Sequence, residues 1–126
     1  MKKLTKAEEE IMQVLWEQGG GFVKDIQARL DKDPAYNTVS TIVRILEDKG
    51  FVGHKARGRA HEYFPMISKE AYKREFMKGF LNNYFRNSWK EMVSFFNKNE
   101  DIDLAELEEM QAMIQSEINK KRRHDS

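Results

Sequence analysis

The sequence predicts a mainly α protein, in which three helices and a two-stranded β-hairpin are followed by three further helices. Three observations carry that expectation. Apolar residues recur at helical spacing over most of the chain. The period changes only between residues 51 and 64, where the pattern suits paired strands. Only 2 prolines and 7 glycines interrupt 126 residues. The length suits one ordinary domain or two very small ones sharing a core.

Each element has its own signal. Thr5-Lys6-Ala7-Glu8 has the pattern of a capping box, with the Thr5 hydroxyl accepting from the Glu8 N–H and the Glu8 carboxylate accepting from the Thr5 N–H. Ile11, Met12, Leu15 and Trp16 follow at helical spacing, and Gly19-Gly20-Gly21 stops the helix. Phe22, Val23, Ile26 and Leu30 mark one apolar stripe on a short second helix. Asp33 as cap and Pro34 in the first turn open a third helix, closed at Gly50. Its core face is Val39, Ile42, Val43 and Leu46. Residues 51–56 read as a strand, Arg57-Gly58-Arg59 as a turn and residues 60–64 as the returning strand, ended by Pro65. Ser68 caps the fourth helix and Asn87 the fifth, while Asp103-Leu104-Ala105-Glu106 is a second capping box that opens the sixth. Residues 120–126 read as a frayed polar tail.

Composition removes several function classes. Lys plus Arg is 22 against 21 Asp plus Glu, a net charge of +1, which excludes a histone-like polycation and an acidic disordered tail. A basic surface is still compatible with a neutral total. The absence of Cys excludes disulfides, cysteine zinc sites and thiol catalysis, and fits a reducing compartment. No apolar run approaches ~18 residues and no signal peptide is present, so a cytoplasmic protein without membrane insertion is expected. The chain has no Gly-rich phosphate loop, nucleophile elbow or paired inward carboxylates. His54 and His61, with Glu62 nearby, lack a metal-ligand spacing. Neither an enzyme nor a metal or cofactor site is expected.

Three helices followed by a hairpin is the layout of a winged helix, in which the third helix enters the major groove of double-stranded DNA and the hairpin flanks the duplex. With the core face assigned, Asn37, Ser40, Thr41 and Arg44 fall on the opposite side of the third helix, Thr38 beside them. These side chains are rich in donors and short enough to approach base edges. Asp48 lies on the same side, four residues from Arg44, and could pair with it. The hairpin adds Lys55, Arg57 and Arg59, with no acid between Lys49 and His61, and phosphate is its natural partner. The reading is a winged-helix domain over residues 1–66 and a helical dimerisation domain over 67–126.

The second half carries more large apolar side chains than a short helical tail can bury. Phe76, Phe80 and Tyr84 on the fourth helix, Trp89, Met92 and Phe96 on the fifth, and Leu107, Met110 and Ile114 on the sixth are expected to meet a second copy of the chain. A two-fold dimer sets two reading heads on one face of the duplex and calls for a palindromic operator. The alternative is a helical protein-interaction adaptor without specific DNA binding, recruiting a partner through the aromatic helix from Tyr72 to Phe85.

Leu4-Thr5-x-Ala7-Glu8-x-x-Ile11-Met12-x-x-Leu15-Trp16, then Thr38-Val39-x-Thr41, Arg44-x-Leu46-x-x-Lys49-Gly50 and Tyr63-x-Pro65, resemble the penicillinase-repressor family. The resemblance runs from Leu4 to about Ile118. It implies a dimeric winged-helix repressor of resistance or stress genes, inactivated by a membrane-bound sensor metalloprotease that cuts in the dimerisation region. Family members often carry Trp-Ser near the start of the third helix, where this chain has Pro34-Ala35-Tyr36-Asn37. Their usual scissile bond is Asn-Phe, and the matching place here is Phe95-Phe96. A copper-responsive branch ends in a cysteine cluster, which this chain lacks.

Overall fold

The computed structural model describes residues 3–99 and 101–125. The order is α1 (Lys6–Gln18), β1 (Gly21–Phe22), α2 (Val23–Arg29), α3 (Tyr36–Asp48), β2 (Val52–Arg57), β3 (Ala60–Pro65), α4 (Lys69–Phe85), α5 (Trp89–Lys98) and α6 (Leu104–Asp125). The chain divides into two compact units, one ending at Met77 and the other starting at Lys78.

In the first unit the expected capping box forms, with Thr5 N–H donating to Glu8 Oε1 at 2.9 Å and Glu8 N–H to Thr5 Oγ1 at 3.2 Å. Gly19 closes α1 in the left-handed conformation, its N–H reaching the Leu15 carbonyl at 2.8 Å. The next two glycines do more than stop the helix. Gly21 and Phe22 form β1, which pairs antiparallel with β3 and makes the sheet three-stranded, in the order β1-β3-β2. A Cβ on Gly20 would stand 2.9 Å from the Tyr63 carbonyl oxygen, so a side chain there would push β1 off β3. The expected hairpin forms from β2 and β3, β1 adds a third strand that the sequence did not announce, and Phe22 moves from helical stripe to strand.

The third helix starts later than expected. Lys32 and Asp33 both have positive φ, and Asp33 at +46° lacks the extended backbone a cap residue needs. Ala35 takes that position and Tyr36 begins the helix, leaving Pro34 outside. The hairpin closes through Gly58-Arg59, because Arg57 pairs with Ala60. Gly58, at φ +64°, supplies the left-handed residue of that two-residue loop.

The core of this unit is shared by all three helices and the sheet. Ile11, Met12, Leu15, Ile26, Val43, Leu46 and Phe51 are at most 1% exposed. Of the expected α3 core face, Val39, Val43 and Leu46 are buried and Ile42 is partly so. Tyr72, from the first turn of α4, packs on Trp16 and Phe51 at ring distances of 5.5 and 6.1 Å. The Trp16 indole N–H donates to the Ile67 carbonyl at 2.8 Å.

In the second unit Ser88, not Asn87, caps α5, accepting from Glu91 N–H at 3.0 Å. Asn87 is left-handed at φ +62° and belongs to the turn. The Ser68 cap holds, its Oγ accepting from Ala71 N–H at 3.1 Å. Asp103 accepts from Glu106 N–H at 2.8 Å. The expected frayed tail is helical as far as Asp125, with Arg122, Arg123 and His124 in the last turn of α6, where the helix dipole favours positive charge, and Ser126 lies outside the described residues.

Candidate nucleic-acid interface

Helices α2 and α3 form the helix-turn-helix, and the Gln27 side chain ties their turn by donating to the Pro34 carbonyl at 3.1 Å. With Val39, Val43 and Leu46 held in the core, α3 presents Asn37, Thr38, Thr41 and Arg44 to solvent, while Ser40 is half-buried. The donors on this face are partly committed. Thr41 Oγ1 donates to the Asn37 carbonyl at 2.8 Å, so its single O–H is spent on the backbone. Arg44 Nε turns back to the Ser40 carbonyl at 3.4 Å, leaving the outer guanidinium N–H groups for a ligand. Among the described residues no Arg44–Asp48 ion pair forms.

The cations near the hairpin do not act alike. Lys49 belongs to the fold: its ammonium lies 2.8 and 2.7 Å from the two carboxylate oxygens of buried Glu8. Burial raises the Glu8 carboxyl pKa, but the Lys49 ammonium and the Thr5 hydrogen bonds together outweigh it and hold the pKa below its ordinary value. Arg57 lies 3.6 Å from Glu62, a loose and exposed contact. Lys55 leans over the Phe64 ring at 6.0 Å. Arg59 occupies the hairpin tip beside Gly58.

Arg57 and Arg59 share a cleft of about 510 Å³ with Tyr36 and Ser40 of α3 and with Phe22 and Lys24 from β1 and α2. Helix and hairpin are fastened beneath it. His54 Nδ1 bonds Glu47 of α3, and its ring stacks on His61 at 4.2 Å and 10°. Tyr63 completes the cluster, 5.7 Å from the His54 ring. Burial, then the charge of Glu47, raises the Tyr63 hydroxyl pKa above its ordinary value, and Arg44 offsets part of this, so the phenol stays neutral. Among the described residues no three His, Asp or Glu side chains converge as a metal site.

Sequence reasoning missed three contributors. Tyr36 and Ile45 are 51% and 42% exposed on α3; a helical wheel places Ile45 outside the core face, but it sets Tyr36 beside Val43, so nothing local marks Tyr36 as exposed. The Glu47–His54 bond joins residues whose proximity depends on the hairpin folding back on α3, so no local pattern announces it.

In the second unit, α5 and α6 have no buried residue among those described. Trp89, Phe96 and Ile114 are exposed, as are Phe95, Leu104, Met113 and Ile118. Met92, Leu107 and Met110 are half-buried. Trp89, Val93, Leu107, Met110 and Ile114 line an apolar cleft of about 540 Å³. On α4, Phe76 and Tyr84 are exposed and Phe80 half-buried, the last meeting the tilted rings of Tyr84 and Phe85 at 5.2 and 5.7 Å. Phe95 and Phe96 both lie on α5, their rings 5.8 Å apart. No helix among the described residues is long and apolar enough to cross a membrane.

The chain is similar to the penicillinase repressor of Bacillus licheniformis, 27% identical over 127 residues covering 97% of this chain and 99% of that one. It is 25% identical over 116 residues to the methicillin resistance regulatory protein MecI of Staphylococcus aureus strain N315, covering 89% of this chain and 93% of that one. The solution structure of the DNA-binding domain of the repressor BlaI superposes with a TM-score of 0.50 at 28% identity, covering 57% of this chain and 94% of that domain. The described first unit is thus a winged helix. The penicillinase repressor family model matches residues 4–116, and the chain belongs to that family, one of transcriptional repressors rather than enzymes.

Proposed function

We propose that this chain is a DNA-binding transcriptional repressor that acts as a homodimer on a palindromic operator. The observation that carries the reading is the joint surface of α3 and the hairpin: an exposed face of Asn37, Thr38, Thr41 and Arg44, next to a cleft edged by Ser40, Arg57 and Arg59. In this reading α3 enters the major groove, Asn37 and Arg44 offer N–H groups to base edges, and Arg57 and Arg59 meet phosphates. Lys55 adds positive charge along the hairpin. The unpartnered apolar side chains of α4, α5 and α6 are the dimer surface, since a family member with two heads doubles its contacts on a symmetric site. Relief of repression by a membrane-bound sensor metalloprotease would cut at Phe95-Phe96. That bond lies within α5, so local unfolding of the helix must precede cleavage. The compartment in this reading is the cytoplasm and the regulated genes include antibiotic resistance.

Fluorescence anisotropy with the chain's own upstream region and a random duplex, over about 50 to 200 mM salt, tests the reading. Retention on the upstream region at two chains per site supports it. Equal, weak binding to both duplexes that vanishes together with salt, and no site recovered from a random pool, defeats it in favour of a protein-interaction adaptor.

A further inference from the structure

We infer that α3 reads its site in part through thymine methyl groups, using an apolar edge formed by Thr38, Thr41 and Ile45. The inference rests on the DNA-binding reading above and names the base feature that this chain's own helix is built to detect.

These three residues stand at i, i+3 and i+7, so they fall within an arc of about 60° on the helix surface. All three are exposed, and Ile45 is 42% so, although α3 buries its other large aliphatic residues wholly or in part. Among the described residues of the first unit nothing covers this edge, which lies on the flank away from Tyr36, Ser40 and Glu47, the residues turned to the hairpin. The edge is apolar despite its two threonines at least at Thr41, whose O–H is given to the Asn37 carbonyl. What Thr41 retains for a ligand is a methyl group and an acceptor, not a donor. In the major groove only thymine presents a methyl, and Thr and other small apolar groups are its natural contacts. The remaining solvent face carries Asn37 and Arg44, whose N–H groups suit adenine or guanine. The helix therefore has one edge for hydrogen bonds and one for methyl contact, and the half-site it fits contains dT under the Thr41–Ile45 edge.

The test uses the full chain and a half-site enriched from random duplexes. Each dT is replaced in turn by dU, which deletes the 5-methyl and keeps the pairing edge and O4. At one or more positions dU should weaken wild-type binding about fourfold, the transfer value of one buried methyl, about 0.8 kcal/mol at 1.4 kcal/mol per tenfold. Ile45→Ala or Thr41→Ser should abolish that sensitivity, whereas Thr41→Val, which keeps a methyl and loses the hydroxyl, should preserve it. All three positions are exposed, so the variants should fold. The proposal is overturned if every dU duplex binds as tightly as its parent, or if Ile45→Ala and Thr41→Ser lose dT and dU duplexes equally. Enrichment of a half-site without dT overturns it too while leaving the DNA-binding reading intact. Enrichment of no sequence at all removes both.

Discussion

The two units handle similar chemistry in opposite ways. The first closes a core around Phe51, Leu15 and Leu46, and beside the exposed Tyr36, Ile45, Met66 and Phe76 its α3 and hairpin surface is polar or cationic. The second leaves Tyr84, Trp89, Phe95, Phe96, Leu104, Met113 and Ile114 in solvent. The contrast separates two physical problems. A unit that closes its own core gains its stability in one chain, whereas an open apolar face gains it only when something covers it.

That contrast can be broken at several points. Phe51→Ala removes a fully buried ring from the junction of α3, β2 and Tyr72, and should cost about 3–5 kcal/mol in thermal or denaturant unfolding. A smaller loss would mean the first core is looser than its packing indicates. Trp89→Ala should act on assembly instead, raising the dimer dissociation constant by a factor equivalent to about 2 kcal/mol in sedimentation equilibrium, with little change in the unfolding of the first unit. If chain mass is unaffected by Trp89→Ala and Ile114→Ser together, the second copy does not sit on α5 and α6.

Next in size is the Glu8–Lys49 pair. Lys49→Ala leaves a buried carboxylate with only its Thr5 bonds and should cost about 1–3 kcal/mol. Because the folded Glu8 pKa lies below its ordinary 4.5, the stabilisation is complete above that pH and is lost as pH falls through the lower folded value. Melting temperatures of wild type and Glu8→Gln should therefore differ at pH 7 and converge in acid; parallel curves down to about pH 2 would contradict the assignment. The smallest effect belongs to the hairpin tip: Arg59→Ala should flatten the salt dependence of DNA binding by about one unit, equally for all sequences, and leave folding unchanged.

Much of the first unit was legible because its signals are local. The capping box, the core face of α3 and the Gly58 turn each occupy a handful of neighbouring residues. What escaped were pairings across sequence distance and backbone states. β1 is two residues long and exists only because β3, some forty residues on, lies against it. Asp33 and Asn87 have good capping side chains but left-handed backbones, and the cap passed to Ala35 and Ser88. Lys49 borders the basic hairpin in the sequence, yet its partner is Glu8, forty-one residues away. In the candidate interface, the polar face of α3 followed from the core stripe. The turning of the Thr41 hydroxyl onto the Asn37 carbonyl did not, since side-chain orientation is no property of spacing.

The placement of the chain's 2 tryptophans has a practical consequence. Trp16 donates its indole N–H to Ile67 and leans on Tyr72, within the first unit. Trp89 stands 56% exposed at the start of α5. Their emission reports different events. The Trp16 fluorophore, partly buried against the core, shifts to the red when the winged helix melts, while Trp89 begins red and shifts to the blue when another surface covers it. With Trp16→Phe and Trp89→Phe as optical controls, one cuvette follows folding and association as separate colours, without an added dye.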